Sequence, residues 1–295
     1  NEALKKAWPG AGAKLEIVND GLLLNVNETQ VGSLEPLRGL PLNVLYCAHS
    51  GIRTLEPLHG MPLTALNCTG NPIESLEPLR GMPLTTLQCE DCPISELEPL
   101  RGMMLKMFRF GPSAVADLEP LRGMPLTFLY AWSSRIESLE PLRGMPLDTL
   151  NCGGNRIADL IPLSGMPLTN LQCGGNRIRH LEPVKGLPLR VLICTDNEIE
   201  DLSPLAGLPV TTLGCHINRI TDISPLEGLP LATLACGGNK LCSLGAFVQR
   251  PPETLLFDCD SIGTSELRKI RDAWSKSPSL SAHAREADTL LALRA

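Results

Sequence analysis

The chain repeats itself every 21 residues, ten times in succession. One proline marks the repeat, at Pro36, Pro57, Pro78, Pro99, Pro120, Pro141, Pro162, Pro183, Pro204 and Pro225. A fixed period of this size is typical of a solenoid, in which each repeat forms one coil that stacks on the next. A solenoid presents a long surface, which favours binding over catalysis.

Composition excludes several classes of partner. The 295 residues carry a net charge of −6, with both signs interspersed and no run of lysine or arginine. We therefore expect neither nucleic acid nor an anionic membrane as a partner. No apolar run reaches the roughly 18 residues that span a bilayer. Because the first residue is Asn1 and not methionine, we also expect the chain to be a segment of a longer protein.

Eleven cysteines suggest disulfides, but their spacing indicates another role. Eight share one phase of the repeat: Cys47, Cys68, Cys89, Cys152, Cys173, Cys194, Cys215 and Cys236. A cysteine column at this phase predicts small buried side chains, reduced thiols and a cytoplasmic location. The pair Cys89 and Cys92 is a lone C-x-x-C, for which we expect a structural role and no metal. No cofactor motif is present, and the glycine pairs open no helix, so they do not form phosphate loops.

Each coil divides into a strand and a turn. Alternation in the consensus L-x-x-L-x-C predicts a strand with Leu66 and Cys68 inward and Asn67 outward. Asparagine follows at a fixed phase, as at Asn71, where a buried amide can satisfy the backbone of its own turn and of the neighbouring coil. We therefore interpret these asparagines as a structural ladder and not as a site.

The rest of the coil reads I-x-x-L-x-P-L-x-G-M. Two prolines per coil exclude a long helix and favour a short 3₁₀ turn, with glycine at the bend. Glu77 and Arg80 lie three residues apart in this segment, which predicts solvated ion pairs. Exposed pairs contribute only about 0–1 kcal/mol each.

These motifs resemble the leucine-rich repeat of the short SDS22- or internalin-like bacterial type. The match runs from Leu22 to Ile262, although the 21-residue coil is shorter than usual and cysteine replaces the commoner leucine or isoleucine. The form G-M-P-L-x-x-L-x-C, with the lead-in from Ala3 to Gly10, is also similar to repeats attached to serine/threonine protein kinases of planctomycete-type bacteria.

The resemblance implies an α/β solenoid, a leucine-rich-repeat horseshoe with a parallel sheet on the concave face and short 3₁₀ turns on the convex face. We expect residues 1–262 to form the solenoid of about twelve coils, including an N-terminal hairpin from Leu15–Val18 into Leu22–Val26. Residues 263–295 are expected to form a helical C-terminal cap. In it Thr264 or Ser265 would cap a helix that turns Leu267, Ile270 and Trp274 inward, before a second helix from about Ser281.

The repeat fails between Met103 and Ser134, where five of the ten aromatic residues fall. Alternation predicts Phe108 and Phe110 in the core, and Phe128, Tyr130 and Trp132 outward on the sheet. The 21-residue offset aligns Met107 with Phe128, Arg109 with Tyr130, and Gly111 with Trp132. Arg109 could therefore stack on Tyr130 as a cation–π pair.

An outward group of aromatic side chains and arginine has the composition of a protein-binding hot spot. The predicted partner-binding residues are Met107, Arg109, Phe128, Tyr130, Trp132, Asn151 and Gln172. The alternative is that two drifted coils repack against each other, with Phe110 compensating Ala131; this explains the inward pair but not the outward residues. Val191, Ile193 and Ile217 form a weaker second patch, for which both interpretations stand.

The sequence predicts a monomeric, non-catalytic scaffold that binds a protein partner on the concave face. Five scattered histidines form no catalytic arrangement, and the kinase signatures H-R-D and D-F-G are missing from the chain. One alternative is a regulatory or substrate-recruiting arm of a bacterial serine/threonine kinase. The other is a secreted internalin-like adhesin.

Overall fold

The computed structural model describes residues 2–9, 14–18, 21–247, 251–257, 262–276 and 281–292. It divides into two compact units, Asn1–Ile157 and Ala158–Ala295. Both are built from the same coil, and the coils confirm the solenoid that the period predicts.

The first unit begins with helix α1, Glu2–Ala7, followed by an antiparallel hairpin of β1, Lys14–Val18, and β2, Gly21–Asn25. Six parallel strands continue the sheet, each paired with the strand one coil earlier. They are β3, Leu42–Tyr46; β4, Ala65–Asn67; β5, Thr86–Glu90; β6, Met107–Gly111; β7, Phe128–Ala131; and β8, Thr149–Asn151. The predicted hairpin is present, with its turn at residues 19–20 outside the described residues.

The second unit has five parallel strands followed by two helices. The strands are β9, Asn170–Gln172; β10, Val191–Ile193; β11, Thr212–Gly214; β12, Thr233–Ala235; and β13, Thr254–Leu256. Equivalent leucines pair directly, as Leu192 does with Leu213, because side chains 21 residues apart occupy the same place on successive coils.

Each coil buries its leucines and its cysteine. Leu66 and Cys68 are essentially fully buried while Asn67 is half-exposed, as alternation predicts. Nine of the ten cysteines within the described residues are buried and unbridged, whereas Cys242 is exposed. Burial raises the pKa of the Cys152 and Cys194 thiols to about 12.

The asparagine ladder joins each coil to its neighbour. The amide nitrogen of Asn71 donates to the carbonyl oxygens of Cys47 and Cys68 at 2.8 and 2.9 Å. Its amide oxygen accepts from the backbone N–H groups of Ser50 and Ile52 at 3.1 and 2.9 Å. One buried side chain therefore satisfies groups of two coils. The same arrangement, with a backbone N–H of the preceding coil donating to the amide oxygen, recurs at Asn155, Asn197, Asn218 and Asn239.

A 3₁₀ turn closes each coil, as the prolines predict. Within Glu77–Leu79 the proline occupies an early position where no N–H is required. Arg80 pairs with Glu77 at 2.7 Å, and both side chains are about half-exposed. The equivalent pairs in the first unit are Glu35–Arg38, Glu98–Arg101, Glu119–Arg122 and Glu140–Arg143.

Two helices follow the last strand: α2, Thr264–Trp274, and α3, Ser281–Ala292. Leu267, Ile270 and Trp274 are buried, as predicted. The predicted helix cap is wrong. Gly263 stands at the N-cap in extended conformation and no side chain caps the helix, because the chain enters α2 one residue earlier than a Thr264 cap would allow.

Candidate partner-binding site

The interrupted repeat places two large aromatic side chains in the core of the first unit. Phe108 and Phe110 on β6 are fully buried, with ring centroids 4.9 Å apart. Phe110 replaces the column cysteine and pairs with Ala131 on β7. The small residue leaves room for the large one, which is what the repacking interpretation expects of this inward pair.

The outward side chains of β6 and β7 form a separate cluster on the exposed face of the sheet. Met107 pairs with Phe128 and Arg109 with Tyr130, the register that the sequence predicts. The Phe128 and Tyr130 rings stack with centroids 4.5 Å apart and planes 26° apart. All four side chains are half-buried, so the rings are ordered against one another while one side stays accessible.

Arg109 is held from two directions. Its guanidinium carbon lies 4.9 Å from the centroid of the Tyr130 ring, the cation–π contact expected from the register. Glu90 on β5 supplies a second contact that sequence reasoning missed: Arg109 Nη2 and Nε lie 2.7 and 2.9 Å from Glu90 Oε1. The Arg109 side chain is 34% exposed and that of Glu90 only 12%.

The missed contact follows a cross-strand diagonal. Glu90 pairs in register with Gly111, so Arg109 lies two residues away on the neighbouring strand. Long side chains reach such diagonal neighbours. A glutamate at an outward position one coil earlier was the available signal.

Trp132 follows directly after β7 and is half-buried. Gly111 of the preceding coil lies next to Trp132 and has a φ of 106°. A Cβ added at Gly111 would collide with the Trp132 carbonyl. The predicted neighbourhood of Gly111 and Trp132 is therefore present, and it requires glycine. Gly111 is joined to Pro112 by a cis peptide bond.

The flanking polar residues lie in different units. Asn151 on β8 pairs in register with Tyr130, and its amide oxygen accepts from the Gly153 N–H at 3.1 Å. Gln172 lies on β9 of the second unit, half-buried, with Nε2 3.4 Å from Asn170 Oδ1. The structure thus brings together six of the seven predicted residues on the first unit. We call Met107, Arg109, Phe128, Tyr130 and Trp132 the aromatic patch.

The aromatic patch is nearly neutral. At the outward positions of β4 to β8, within the described residues, the charged side chains are Glu90 and Arg109, which pair with each other. The neighbours are Ala65, Asn67, Thr86, Gln88, Thr149 and Asn151. The surface therefore offers aromatic area and amide groups without an uncompensated charge.

The second predicted patch lies on the second unit. Val191 and Ile193 are half-buried on β10, whereas Ile217, just beyond β11, is 55% exposed. Ile193 also contacts Gly214 of the neighbouring strand, since its Cδ1 would lie 3.1 Å from a Cβ added there.

The lone C-x-x-C lies inside the coil. Cys89 and Cys92 are both buried, and Cys92 Sγ donates to the Cys68 carbonyl at 3.3 Å, in the position that the ladder asparagine occupies elsewhere. Burial raises the pKa of the Cys89 thiol well above its ordinary value. Within the described residues, no group of three or more His, Cys, Asp or Glu side chains is arranged to hold a metal ion.

Comparison with solved structures identifies the fold. An internalin, InlF, from Listeria monocytogenes matches with a TM-score of 0.81 at 26% identity, covering 85% of this chain and 78% of that one. The functional domain of InlJ from the same organism, which includes a cysteine ladder, matches with a TM-score of 0.54 at 24% identity over 72% of this chain and 53% of that one. The leucine-rich repeat domain of APL1 matches with a TM-score of 0.59 at 16% identity, covering 79% and 65%.

No protein-family model and no curated protein matches the chain. The structural likeness shows the leucine-rich-repeat solenoid that the repeat predicts, with bacterial internalins among its neighbours, and supports a protein-interaction scaffold in general terms. No helix among the described residues has the length and apolar character required to cross a membrane.

Proposed function

We propose that the aromatic patch binds a partner protein and that the chain acts as a non-catalytic recognition scaffold. The observation that carries the proposal is the outward stack of Phe128 on Tyr130, covered on one side by Arg109. The coil needs inward leucines to fold, but it does not need outward aromatic rings. Packing of the core therefore does not explain why aromatic rings occupy these outward positions. Tyr, Trp and Arg are the residues most enriched in binding hot spots.

Preorganisation supports the same conclusion. The Phe128–Tyr130 stack and the Arg109–Glu90 ion pair hold these side chains in place before any partner arrives. Less side-chain freedom is then lost on association, where each immobilised side chain otherwise costs about 0.5–1.5 kcal/mol. Because Glu90 neutralises Arg109, affinity would depend on contact area more than on long-range attraction.

The test is affinity capture with the full chain as bait, followed by binding measurements on the identified prey. Tyr130→Ala combined with Trp132→Ala is expected to keep the folded far-UV spectrum and to weaken binding at least tenfold, as removal of two hot-spot residues does. Thr86→Ala combined with Thr149→Ala, at outward positions on the flanking strands, is the matched control and should bind normally. Equal binding by both double variants would exclude the aromatic patch as the site.

We keep two more specific functions as predictions, a kinase-attached arm and an internalin-like adhesin. The repeat form supports a kinase-attached arm, and the similarity to InlF supports an internalin-like adhesin. Because the functional domain of InlJ also includes a cysteine ladder, the thiol column does not discriminate between them. Kinase motifs in the gene upstream of Asn1 would select the first, and a secretion signal or wall anchor the second.

The location and the oligomeric state are further parts of the proposal. A cytoplasmic location is proposed together with the kinase-attached arm, and a secretion signal in the gene upstream of Asn1 would contradict it. A monomer is expected, and light scattering on the purified chain tests it. A dimer mass would contradict this part of the proposal.

A further inference from the structure

One turn residue in almost every coil has a left-handed backbone. Its φ lies between 47° and 68° in Glu28, His49, Gly70, Asp91, Ser133, Gly154, Gly175, Asp196, Ile217 and Gly238. The geometry belongs to the coil, because the N–H of this residue donates to the carbonyl of the next coil, as Ile217 N does to Gly237 O at 2.8 Å. The position therefore requires a residue that tolerates positive φ.

Ile217 is the poorest choice for this position. Glycine, aspartate and histidine adopt the left-handed region readily, whereas a β-branched residue there is an outlier. Its side chain is also 55% exposed, so burial does not compensate for the unfavourable backbone. Neither the turn nor the core of the coil accounts for isoleucine at this place.

Ile217 stands at the edge of an apolar hollow on the exposed face of the second unit. The hollow is shallow and open to solvent, has a volume of about 350 Å³, and is lined by His216, Ile217, Ala235, Gly237, Leu256 and Phe257. Leu256, on β13, is 57% exposed. Ala235 of β12 pairs in register with Gly214 of β11 and with Leu256 of β13, so small residues lie between the larger apolar side chains and leave room for an inserted one.

Among the described residues, the sheet face around the hollow carries almost no charge. In the described part of the second unit, the outward positions of β9 to β13 hold no aspartate, glutamate, lysine or arginine. They are occupied by Asn170, Gln172, Val191, Ile193, Thr212, Gly214, Thr233, Ala235, Thr254 and Leu256. Asp196 holds the same left-handed position one coil earlier, and its backbone N–H donates to the His216 carbonyl at 2.9 Å, so it is a charged residue at the border of this face. A charged segment would lose hydration on this face and find no counter-ion, so the face complements an uncharged one.

We propose that this hollow is a second protein-docking site, which takes a large apolar side chain from an uncharged, extended segment of a partner, with Ile217 and Leu256 as its walls. The site is independent of the aromatic patch, since it lies wholly within the second unit. Backbone strain is maintained at functional positions when the side chain is needed for something other than folding. Ile217 meets that description.

The stability of variants separates a binding role from a structural one. Ile217→Asn removes the apolar wall and places a residue that tolerates positive φ, so the thermal midpoint should equal that of the wild type or exceed it by up to about 4 °C. Asp196→Asn is the matched control in the neighbouring coil, with no effect expected on stability or binding. A clear fall in the midpoint of Ile217→Asn would show that the side chain serves the fold and would overturn the proposal.

Binding is measured by methyl NMR on the full chain labelled at isoleucine δ1 methyls. Three blocked hexapeptides share a central Phe-Leu pair and differ in their flanks, which are serine and glycine, glutamate, or lysine. The Ile217 and Ile193 signals should shift saturably with the uncharged peptide only, and the response should disappear in Leu256→Ala. Ile17 is the internal reference, because it is 83% exposed, lies on β1 of the first unit and does not line the hollow.

Three outcomes would overturn the proposal. Equal shifts at Ile17 and Ile217 would indicate nonspecific adsorption, and no shift up to the solubility limit would show that the hollow does not bind such a segment. Saturation by indole alone, as strong as that by the peptide, would assign the hollow to a small apolar ligand instead. A negative result at the hollow would not count against the aromatic patch, because the variants that test the patch lie in the first unit.

Discussion

Arg109 lies across the strand diagonal from Glu90, with Nη2 2.7 Å from the Glu90 carboxylate, so the cation on the aromatic patch is already paired before a partner binds. The same guanidinium covers the Tyr130 ring at 4.9 Å. Glu90 therefore orients the arginine and cancels its charge, so the proposed binding surface is nearly neutral.

The first prediction concerns this ion pair. Glu90→Gln should destabilise the first unit by about 1 kcal/mol, because a mostly buried charge-assisted contact is weakened. It should also make partner binding salt-dependent, since Arg109 is left uncompensated. Urea unfolding and binding at two salt concentrations measure both effects. Glu137→Gln, which removes an exposed partner of Arg156 at 3.6 Å, is the control, and identical behaviour of the two variants would contradict the role given to Glu90.

The second prediction contrasts an inward with an outward phenylalanine. Phe110→Ala should lower the free energy of unfolding by about 3–5 kcal/mol, because it opens a cavity beside Ala131, which cannot fill it. Phe128→Ala, on the half-buried outward face, should cost no more than about 2 kcal/mol. Denaturant titration followed by circular dichroism measures both. A larger loss for Phe128→Ala would mean that the outward ring belongs to the core.

The third prediction tests the asparagine ladder. Asn71→Ala leaves the N–H groups of Ser50 and Ile52 without the acceptor that the amide supplies. Each buried unsatisfied group costs about 1–3 kcal/mol, so the total loss should exceed about 2 kcal/mol. Asn67→Ala, half-exposed on the same coil, should lose less than about 1 kcal/mol in the same urea titration. Equal losses of stability in the two variants would contradict the special role of Asn71 in joining neighbouring coils.

The fourth prediction concerns thiol accessibility. Native protein should show fast labelling at Cys242, and the nine buried cysteines should react only after denaturant is added. Cys242→Ser should therefore remove one fast-reacting thiol from the count in a colorimetric assay. Rapid native labelling of eight or more thiols would contradict the buried column.

The fifth prediction follows from the pKa of the buried thiols. Cys152 and Cys194 titrate near pH 12 in the folded chain against an ordinary value of 9.0, so above pH 9 the unfolded chain binds fewer protons than the folded one. The contribution of these two thiols to stability is therefore fully present below pH 9 and is lost as the pH rises toward 12. Each thiol should contribute a slope of up to about 1.4 kcal/mol per pH unit. Cys152→Ala combined with Cys194→Ala should reduce the slope measured by urea unfolding from pH 8 to 11, while buried thiols such as Cys47, whose pKa is also raised to about 12, keep part of it. An unchanged slope would contradict this origin.

The repeat predicts much of the site. Strand alternation correctly assigned Phe108 and Phe110 to the core and Phe128 and Tyr130 to the exposed face, because successive side chains of a strand point to opposite sides. The 21-residue offset also predicted the pairing of Arg109 with Tyr130. That these residues bind a partner remains a prediction.

Other features were beyond sequence reasoning because they depend on rotamers and backbone angles. Glu90 reaches Arg109 along a diagonal that periodicity does not specify. The sequence placed Ile217 in the second patch, but its φ of 54° and the hollow beside it appear only in the structure. Likewise, the Gly263 cap depends on where the chain enters α2.

The sequence by itself determined the coil, its inward leucines and cysteines and the register of neighbouring strands, because a repeated pattern can bury its apolar face only by stacking copies of itself. The tertiary structure decided which outward side chains meet, which charges cancel and where the backbone holds a side chain at a cost. Those properties arise between coils, because the contacts there depend on side-chain directions and distances. A repeat pattern does not specify these for each individual residue.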